Sequence, residues 1–248
     1  MILVGGLNHL HDSEGNDRAD MKLPYGQDEL IQEVLKVNPD TIIVMMGGSP
    51  VEMSAWIHQA KAVVWNWYSG MEGGTALAEV LFGKVNPSGK LPETFCKKHT
   101  DCSAHAVGEF PGDTKVRYKE GVFVGYRYND TFDVEPQFCF GHGLSYTSFF
   151  YTGGTVTRKK NCLEVSCNVK NTGTYEGKEI VQIYLAPQQR KETEPLQELK
   201  GFAKIHLLPG EVQTVTIPVS LPEHTDPNRS WKVRIASSSR DVRLQLKI

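Results

Sequence analysis

The sequence predicts two domains in series: an α/β domain, built as a partial sandwich with a mostly parallel sheet flanked by helices, over residues 1–143, and an all-β sandwich over residues 144–248. Three observations carry this. Short, wholly apolar runs alternate with helix signals in the first third of the chain. From about Ser145 the pattern changes to short strands of alternating polarity separated by turn residues. At 248 residues, with 40% hydrophobic and 23% charged residues, the chain is long and apolar enough for two ordinary globular domains.

Ile2-Leu3-Val4-Gly5-Gly6 reads as a short buried strand. Residues 27–37 carry Leu30, Ile31, Val34 and Leu35 on one helical stripe, and Asn38-Pro39-Asp40 stops the helix. Residues 41–46 form a second apolar strand and 62–68 a third. A small-residue helix follows over 73–82, with Gly83 as its stop. Continuous apolar strands with helices between them imply a parallel sheet covered on both faces. From Asn86 to Phe140 regular periodicity is lost, and this stretch is expected to be a long ordered connection with one strand over 122–128. Beyond it, strands are expected over 163–169, 180–185, 200–207, 212–219, 231–235 and 242–248, about seven in all, with turn signals at Pro209-Gly210 and Pro227-Asn228. That density is a sandwich signature.

The formal charge of −2 gives no electrostatic case for nucleic acid or an anionic membrane. No apolar stretch reaches the roughly 20 residues that span a bilayer. Met1–Gly6 lacks the basic leader of a signal peptide and looks like a strand entered in mid-course, so residues before Met1 are expected to be missing. The five cysteines, Cys96, Cys102, Cys139, Cys162 and Cys167, have neither disulfide-scaffold nor zinc-finger spacing. Cys162 and Cys167 face opposite sides of one strand. Unpaired thiols fit a reducing compartment, so a cytoplasmic location is expected.

The chemistry-bearing feature is Asp12-Ser13-Glu14-Gly15-Asn16-Asp17-Arg18, a glycine-backed turn after the first strand. Open α/β sheets present their chemistry at the carboxyl ends of strands. Asp12, Glu14 and Asp17 crowd one turn, and that context makes Glu14 a candidate proton donor. Asp17 and Arg18 are expected to pair and hold the loop. His9-x-His11 beside Asp12 is half of a metal site, as in amidohydrolase-type enzymes, but no further ligands accompany it and no metal is expected. The run 83–90 hints at a phosphate loop and fails in detail: five residues separate the glycines, and Leu91 stands where Ser or Thr would bind magnesium. Gly47-Gly48-Ser49 reads as a tight turn. Trp56, Trp65, Trp67 and Tyr68 are a local aromatic cluster, suited to sugar stacking and more suited to core packing.

Taken together the motifs resemble glycoside hydrolase family 3, β-glucosidase-like members most of all. They are D-S-E-G-N-D-R, M-M-G-G-S-P-V-E-M at 45–53, W-Y-S-G-M-E-G-G at 67–74, L-F-G-K-V-N-P-S-G-K-L-P at 81–92, G-Y-R-Y at 125–128 and F-G-H-G-L-S-Y-T at 140–147. V-K-N-T-G at 169–173, E-L-K-G-F at 198–202, L-P-G-E at 208–211 and S-S-S-R-D-V-R-L at 237–244 continue the set. Two departures stand out: Cys139 replaces a usual proline, and the segment before Trp231 is short.

The resemblance implies a barrel, an α/β sandwich and a fibronectin type III-like domain, of which this chain holds the later part of the second and all of the third. It also implies a retaining hydrolase without cofactor, acting on terminal β-D-glucosyl residues of a β-glucoside or oligosaccharide. Glu14 matches the family's acid/base, Asp12 and Ser13 would line the pocket, and Asp17 and Arg18 would support the loop. The nucleophilic aspartate lies on the absent barrel, and retention needs the two carboxyls roughly 5–5.5 Å apart. The isolated chain is therefore expected to be inactive, and the unpaired sheet edge to favour homo-oligomers or aggregates. The alternatives are a non-catalytic scaffold or carbohydrate-binding fragment, and a metal hydrolase using His9 and His11.

Overall fold

The computed structural model describes residues 1–159, 162–222 and 229–248. Its first domain is a parallel sheet of β1 (Ile2–Gly6), β2 (Ile42–Met46) and β3 (Ala62–Trp65), in that spatial order. Helix α1 (Gln27–Val37) packs Ile31 and Leu35 into a core with Ile43, Met45, Val51, Met53, Trp56 and Phe95. Leu30, placed on the apolar stripe by sequence, is instead half exposed. The side chain of Gln27 finishes β1 as a neighbouring strand would. Its Oε1 accepts from Gly6 N at 2.7 Å and its Nε2 donates to Gly6 O at 2.9 Å.

Coverage of this sheet differs from the sequence expectation. Only β2 is buried on both faces; β1 leaves Ile2 and Val4 exposed, and α2 (Gly73–Leu81) buries none of its side chains. β1 and β3 are the two edges of this sheet, and on the free edge of β1 the Gln27 side chain pairs with Gly6. The third strand also ends early, because Trp67 turns into the left-handed region (φ 51°).

The long connection carries the short helices α3 (Ser103–Ala106) and α4 (Tyr126–Thr131). The strand expected over 122–128 is absent: Gly121 and Gly125 adopt φ 55° and 56°, which breaks an extended run and starts α4.

The second domain is a sandwich of two antiparallel sheets. One is ordered β10 (Val242–Lys247), β9 (Trp231–Ala236), β6 (Gly177–Pro187), β7 (Glu198–Leu207); the other is β4 (Phe149–Arg158), β5 (Cys162–Asn171), β8 (Val212–Ser220). Leu163, Val165, Cys167 and Val169 of β5 meet Val181, Ile183 and Leu185 of β6 and Val233 and Ile235 of β9. Cys162 and Cys167 do lie on opposite faces of β5, one half-buried and one buried. No strand is expected from the sequence over 149–158, where Gly153-Gly154 interrupts the β4 ladder with a register shift. The Pro227-Asn228 turn, and most of the short segment before Trp231, fall outside the described residues. Among the described residues no helix is long and apolar enough to cross a membrane.

The connection covers the outer face of the sandwich, which is why β6 is buried almost continuously from Val181 to Ala186. Phe140 stacks on Tyr126 at 4.9 Å, and Tyr126 meets Tyr184 edge-on at 5.8 Å. Asn86 accepts from Ser145 Oγ and Tyr146 N and donates to Glu176 O. Asn171, fully buried, fills all four of its hydrogen-bonding positions with Thr147, Gly173, Tyr175 and Leu207. Gly143 passes so close to Gly89 that an added Cβ would sit 2.2 Å from its carbonyl oxygen. Arg240, in the β9–β10 turn, bonds Asp130 Oδ1 at 2.8 Å, Glu135 Oε2 at 2.6 Å and the carbonyls of Asn129 and Val134.

Arg240→Ala strands a buried carboxylate on Asp130, and the expected loss is about 3 kcal/mol. Calorimetry of the variant is expected to resolve separate transitions for the two domains; an unchanged single transition would show that the junction rests on other contacts. A second prediction concerns Glu194, which Arg229 grips with both guanidinium arms at 2.6 and 2.8 Å. These bonds hold its carboxyl down, from the ordinary 4.5 to about 2. The pair therefore stabilises the fold fully above pH 4.5 and stops doing so as pH falls to about 2. Urea midpoints of wild type and Glu194→Gln are expected to differ by about 1 kcal/mol at pH 6 and to converge at low pH.

Candidate active-site loop

Asn8 starts the loop after β1. Its carbonyl accepts from both His11 N and Asp12 N at 2.9 Å, a single helical turn that lifts the chain off the sheet. Asp12 then ties the loop to the ends of the next two strands. Its Oδ2 accepts from Gly48 N at 3.0 Å, just past β2, and from Tyr68 Oη at 2.9 Å, just past β3. Burial and the bond to Asp12 push the Tyr68 hydroxyl up, which keeps it a donor. A Cβ at position 48 would stand 3.0 Å from both Asp12 Oδ2 and the Tyr68 ring, so only glycine admits both partners without displacement.

The turn at the tip is tight. Ser13 bridges to Asn16, and Gly15 takes φ 79°, a conformation that side-chain-bearing residues rarely adopt. Glu14 stands at the apex, exposed, and makes no hydrogen bond or ion pair with the described residues. On the far side Arg18 anchors the chain: its Nη2 donates to Pro50 O at 2.7 Å and to Ser49 Oγ at 3.2 Å.

The expected Asp17–Arg18 pair does not form. Neighbours in an irregular chain need not present their side chains to each other, and Arg18 turns toward the 49–50 turn while Asp17 is exposed. Arg18 bonds the 49–50 turn, and the carboxylate that bonds across to the neighbouring strand ends is Asp12. A cleft of about 510 Å³ lies beside the loop. Ser13, Asp17 and Arg18 line it together with His11, Asp20 and Tyr25; Asp12 and Glu14 are not among its lining residues. Sequence reasoning missed Gly48, Ser49, Pro50 and Tyr68 as loop anchors. They sit in two motifs read as a turn and an aromatic cluster, and nothing local ties either to Asp12.

His11 stacks edge-on against Tyr25 at 4.8 Å, and its Nδ1 lies 3.2 Å from Asn8 Oδ1. Among the described residues no three His, Cys, Asp or Glu side chains gather as a metal site. Of the tryptophans, Trp56 is fully buried and donates to Asp28 Oδ1 at 2.8 Å. Trp65 and Trp67 pack edge-on with each other and with Phe95.

This architecture matches known proteins over its whole length. The family model described as Glycosyl hydrolase family 3 C-terminal domain matches residues 1–126, and that described as Fibronectin type III-like domain matches 179–238. Beta-glucosidase BoGH3A of Bacteroides ovatus is 43% identical over 262 residues, an alignment covering 98% of this chain and 35% of that protein. Thermostable beta-glucosidase B of Acetivibrio thermocellus is also 43% identical, over 98% of this chain and 34% of its own length. Among solved structures, the beta-glucosidase of Kluyveromyces marxianus in complex with glucose superposes with a TM-score of 0.94 at 38% identity, over all of this chain and 31% of that one. The chain thus spans about a third of the length of these relatives. Fold, motif order and the family match over 1–126 agree: this chain belongs to glycoside hydrolase family 3, and carries that family's C-terminal domain followed by a fibronectin type III-like domain.

Proposed function

We propose that this chain is the acid/base-bearing part of a retaining β-glycosidase that removes terminal β-D-glucosyl residues, with Glu14 as the general acid/base. One observation carries the reading: Glu14 is a carboxylate with no partner among the described residues, held at the apex of a turn fixed on both sides, by Asp12 before it and Arg18 after it. In the first half-reaction Glu14 protonates the glycosidic oxygen as the bond to the anomeric carbon breaks. In the second it takes a proton from the water that attacks the glycosyl-enzyme. Asp12 and Ser13, beside it, border the sugar; Asp12 also holds the loop, with Arg18, while Asp17 is left to the rim of the cleft.

The nucleophile and most of the sugar-gripping groups belong to an N-terminal barrel outside this chain. The edge strand β1, with Ile2 and Val4 exposed, and the unburied α2 are the surfaces suited to receive it or, in its absence, a second copy. A general acid by itself accelerates only about 10²–10⁴-fold. The chain alone is therefore expected to give no measurable turnover of p-nitrophenyl β-glucoside. Clear turnover that disappears in Glu14→Gln would contradict the division of labour proposed here.

The brace makes its own prediction. Asp12→Ala removes an acceptor for two donors, and amide exchange over 13–17 is expected to quicken at least about tenfold, the equivalent of about 1.4 kcal/mol. The sandwich strands serve as the unchanged internal reference. Equal exchange in both forms would mean that the loop is held by something other than Asp12.

A further inference from the structure

A second cleft, of about 550 Å³, opens where the end of α2, the lead into β4 and the β5–β6 turn come together. It is lined by Gly83, Lys84, Asn86, Tyr146, Tyr175 and Glu176, none of which lines the cleft beside the acid/base loop. The run 83–90, which fails as a phosphate loop, thus supplies one of its walls. All three walls are pinned by hydrogen bonds. Gly83 N donates to Val80 O at 3.0 Å and Val85 N to Glu79 O at 3.1 Å, which folds the chain back at the end of α2. Tyr146 N donates to Asn86 Oδ1 at 2.8 Å, and Tyr146 Oη donates to Val80 O at 2.8 Å. The buried Asn171 donates to the Tyr175 carbonyl at 2.7 Å, and Asn86 Nδ2 to the Glu176 carbonyl at 2.8 Å.

The lining side chains narrow the ligand. Tyr175 is 62% exposed and Tyr146 47%, so ring surface stays open on both, although the Tyr146 hydroxyl is tied to α2. Lys84 brings an exposed ammonium and Glu176 an exposed carboxylate, one oxygen of which lies 3.4 Å from His206 Nε2. One group of each sign leaves no net field to select an anion or a cation. The apolar surface is two tyrosine rings, not the continuous apolar groove that takes a helix face. A neutral ligand with flat C–H faces and many hydroxyls fits both halves of this lining: the rings take the faces, and the carboxylate and ammonium take the hydroxyls. The volume falls within the roughly 300–1,000 Å³ of small-molecule sites. Walls fixed before the ligand arrives lower the ordering cost of binding.

We infer that this cleft is a binding site for a neutral saccharide. Tyr175 is its main stacking surface, Lys84 and Glu176 bond the sugar hydroxyls, and Asn86 holds the walls in register. A sugar seated there touches the end of the α/β domain and the β5–β6 turn of the sandwich at once, and so adds a bridge between the two domains. The site binds without cleaving, and its occupancy does not depend on Glu14.

The test is an NMR titration of the chain with cellobiose and, in a second arm, with maltose. Saturable amide shifts are expected at 83–86, 145–147 and 174–177 with at least one of the two sugars. Tyr175→Ala is expected to weaken that binding at least about tenfold. Glu176→Gln, which keeps the carbonyl bonded by Asn86, is expected to weaken it as well and serves where Tyr175→Ala disturbs the turn. Glu14→Gln is expected to bind as the wild type does, so failure of the acid/base assignment leaves this result untouched. The proposal is overturned if neither sugar gives saturable shifts at these positions, if both cleft variants bind as tightly as the wild type, or if the shifts fall on 12–18 and vanish in Glu14→Gln.

Discussion

The guanidinium of Arg240 reaches from the β9–β10 turn of the sandwich to α4 of the connecting segment, where it meets Asp130, whose side chain is 5% exposed. Two further bonds go to the carbonyls of Asn129 and Val134, at 3.2 and 3.0 Å, where α4 ends. A guanidinium presents several donors in one plane, and here they engage two carboxylates, Asp130 and Glu135, and two chain carbonyls at once. Around this point Gln197 bonds the second oxygen of Asp130 and the carbonyl of Ser239, and Tyr126 receives the amide of Leu199. The sandwich therefore does not hang from a linker. It is fastened to the connecting segment, which in turn packs Phe95 and Phe138 against the α/β core.

That frame fixes the strand ends on which the candidate acid/base loop rests. Asp12 reads the ends of β2 and β3 simultaneously, and Arg18 reads the turn after β2, so the loop position follows from the sheet. The strained left-handed turn at Trp67 has a use in this setting: it ends β3 and brings Tyr68 over Gly48 to Asp12. Glu14 faces solvent with no hydrogen-bond partner among the described residues. A general acid does its work shut away from bulk water, so under the proposed function the closing wall comes from the barrel.

Much of this was legible in the chain. The α1 stripe and the β2 run gave their bounds because periodicity and punctuation agree there, and the alternation along β5 gave its buried face. Where reading failed, the cause is visible. Gly125 with φ 56° turns an aromatic, strand-like run into a helix start, and Gly153 with φ 63° sits in a bulge that hides β4. Val181 to Ala186, Gln182 included, is buried on both faces because a second layer covers it, which no periodicity reveals. In the loop, Glu14 is singled out by its crowded, glycine-backed context and by a family motif. The partners that position it are 36 and 56 residues from Asp12, and adjacency suggested Asp17–Arg18 instead.

The central claim is that Glu14 shuttles the proton for a nucleophile carried elsewhere. Its most direct test is a chimera in which this chain replaces the matching C-terminal region of the Bacteroides ovatus relative, assayed by its rate on an aryl β-glucoside once it is shown to be active. Glu14→Ala in that chimera is predicted to slow turnover by about 10²–10⁴-fold, with external azide restoring it by capturing the glycosyl-enzyme. An active chimera whose Glu14→Ala form keeps its full rate would contradict the account.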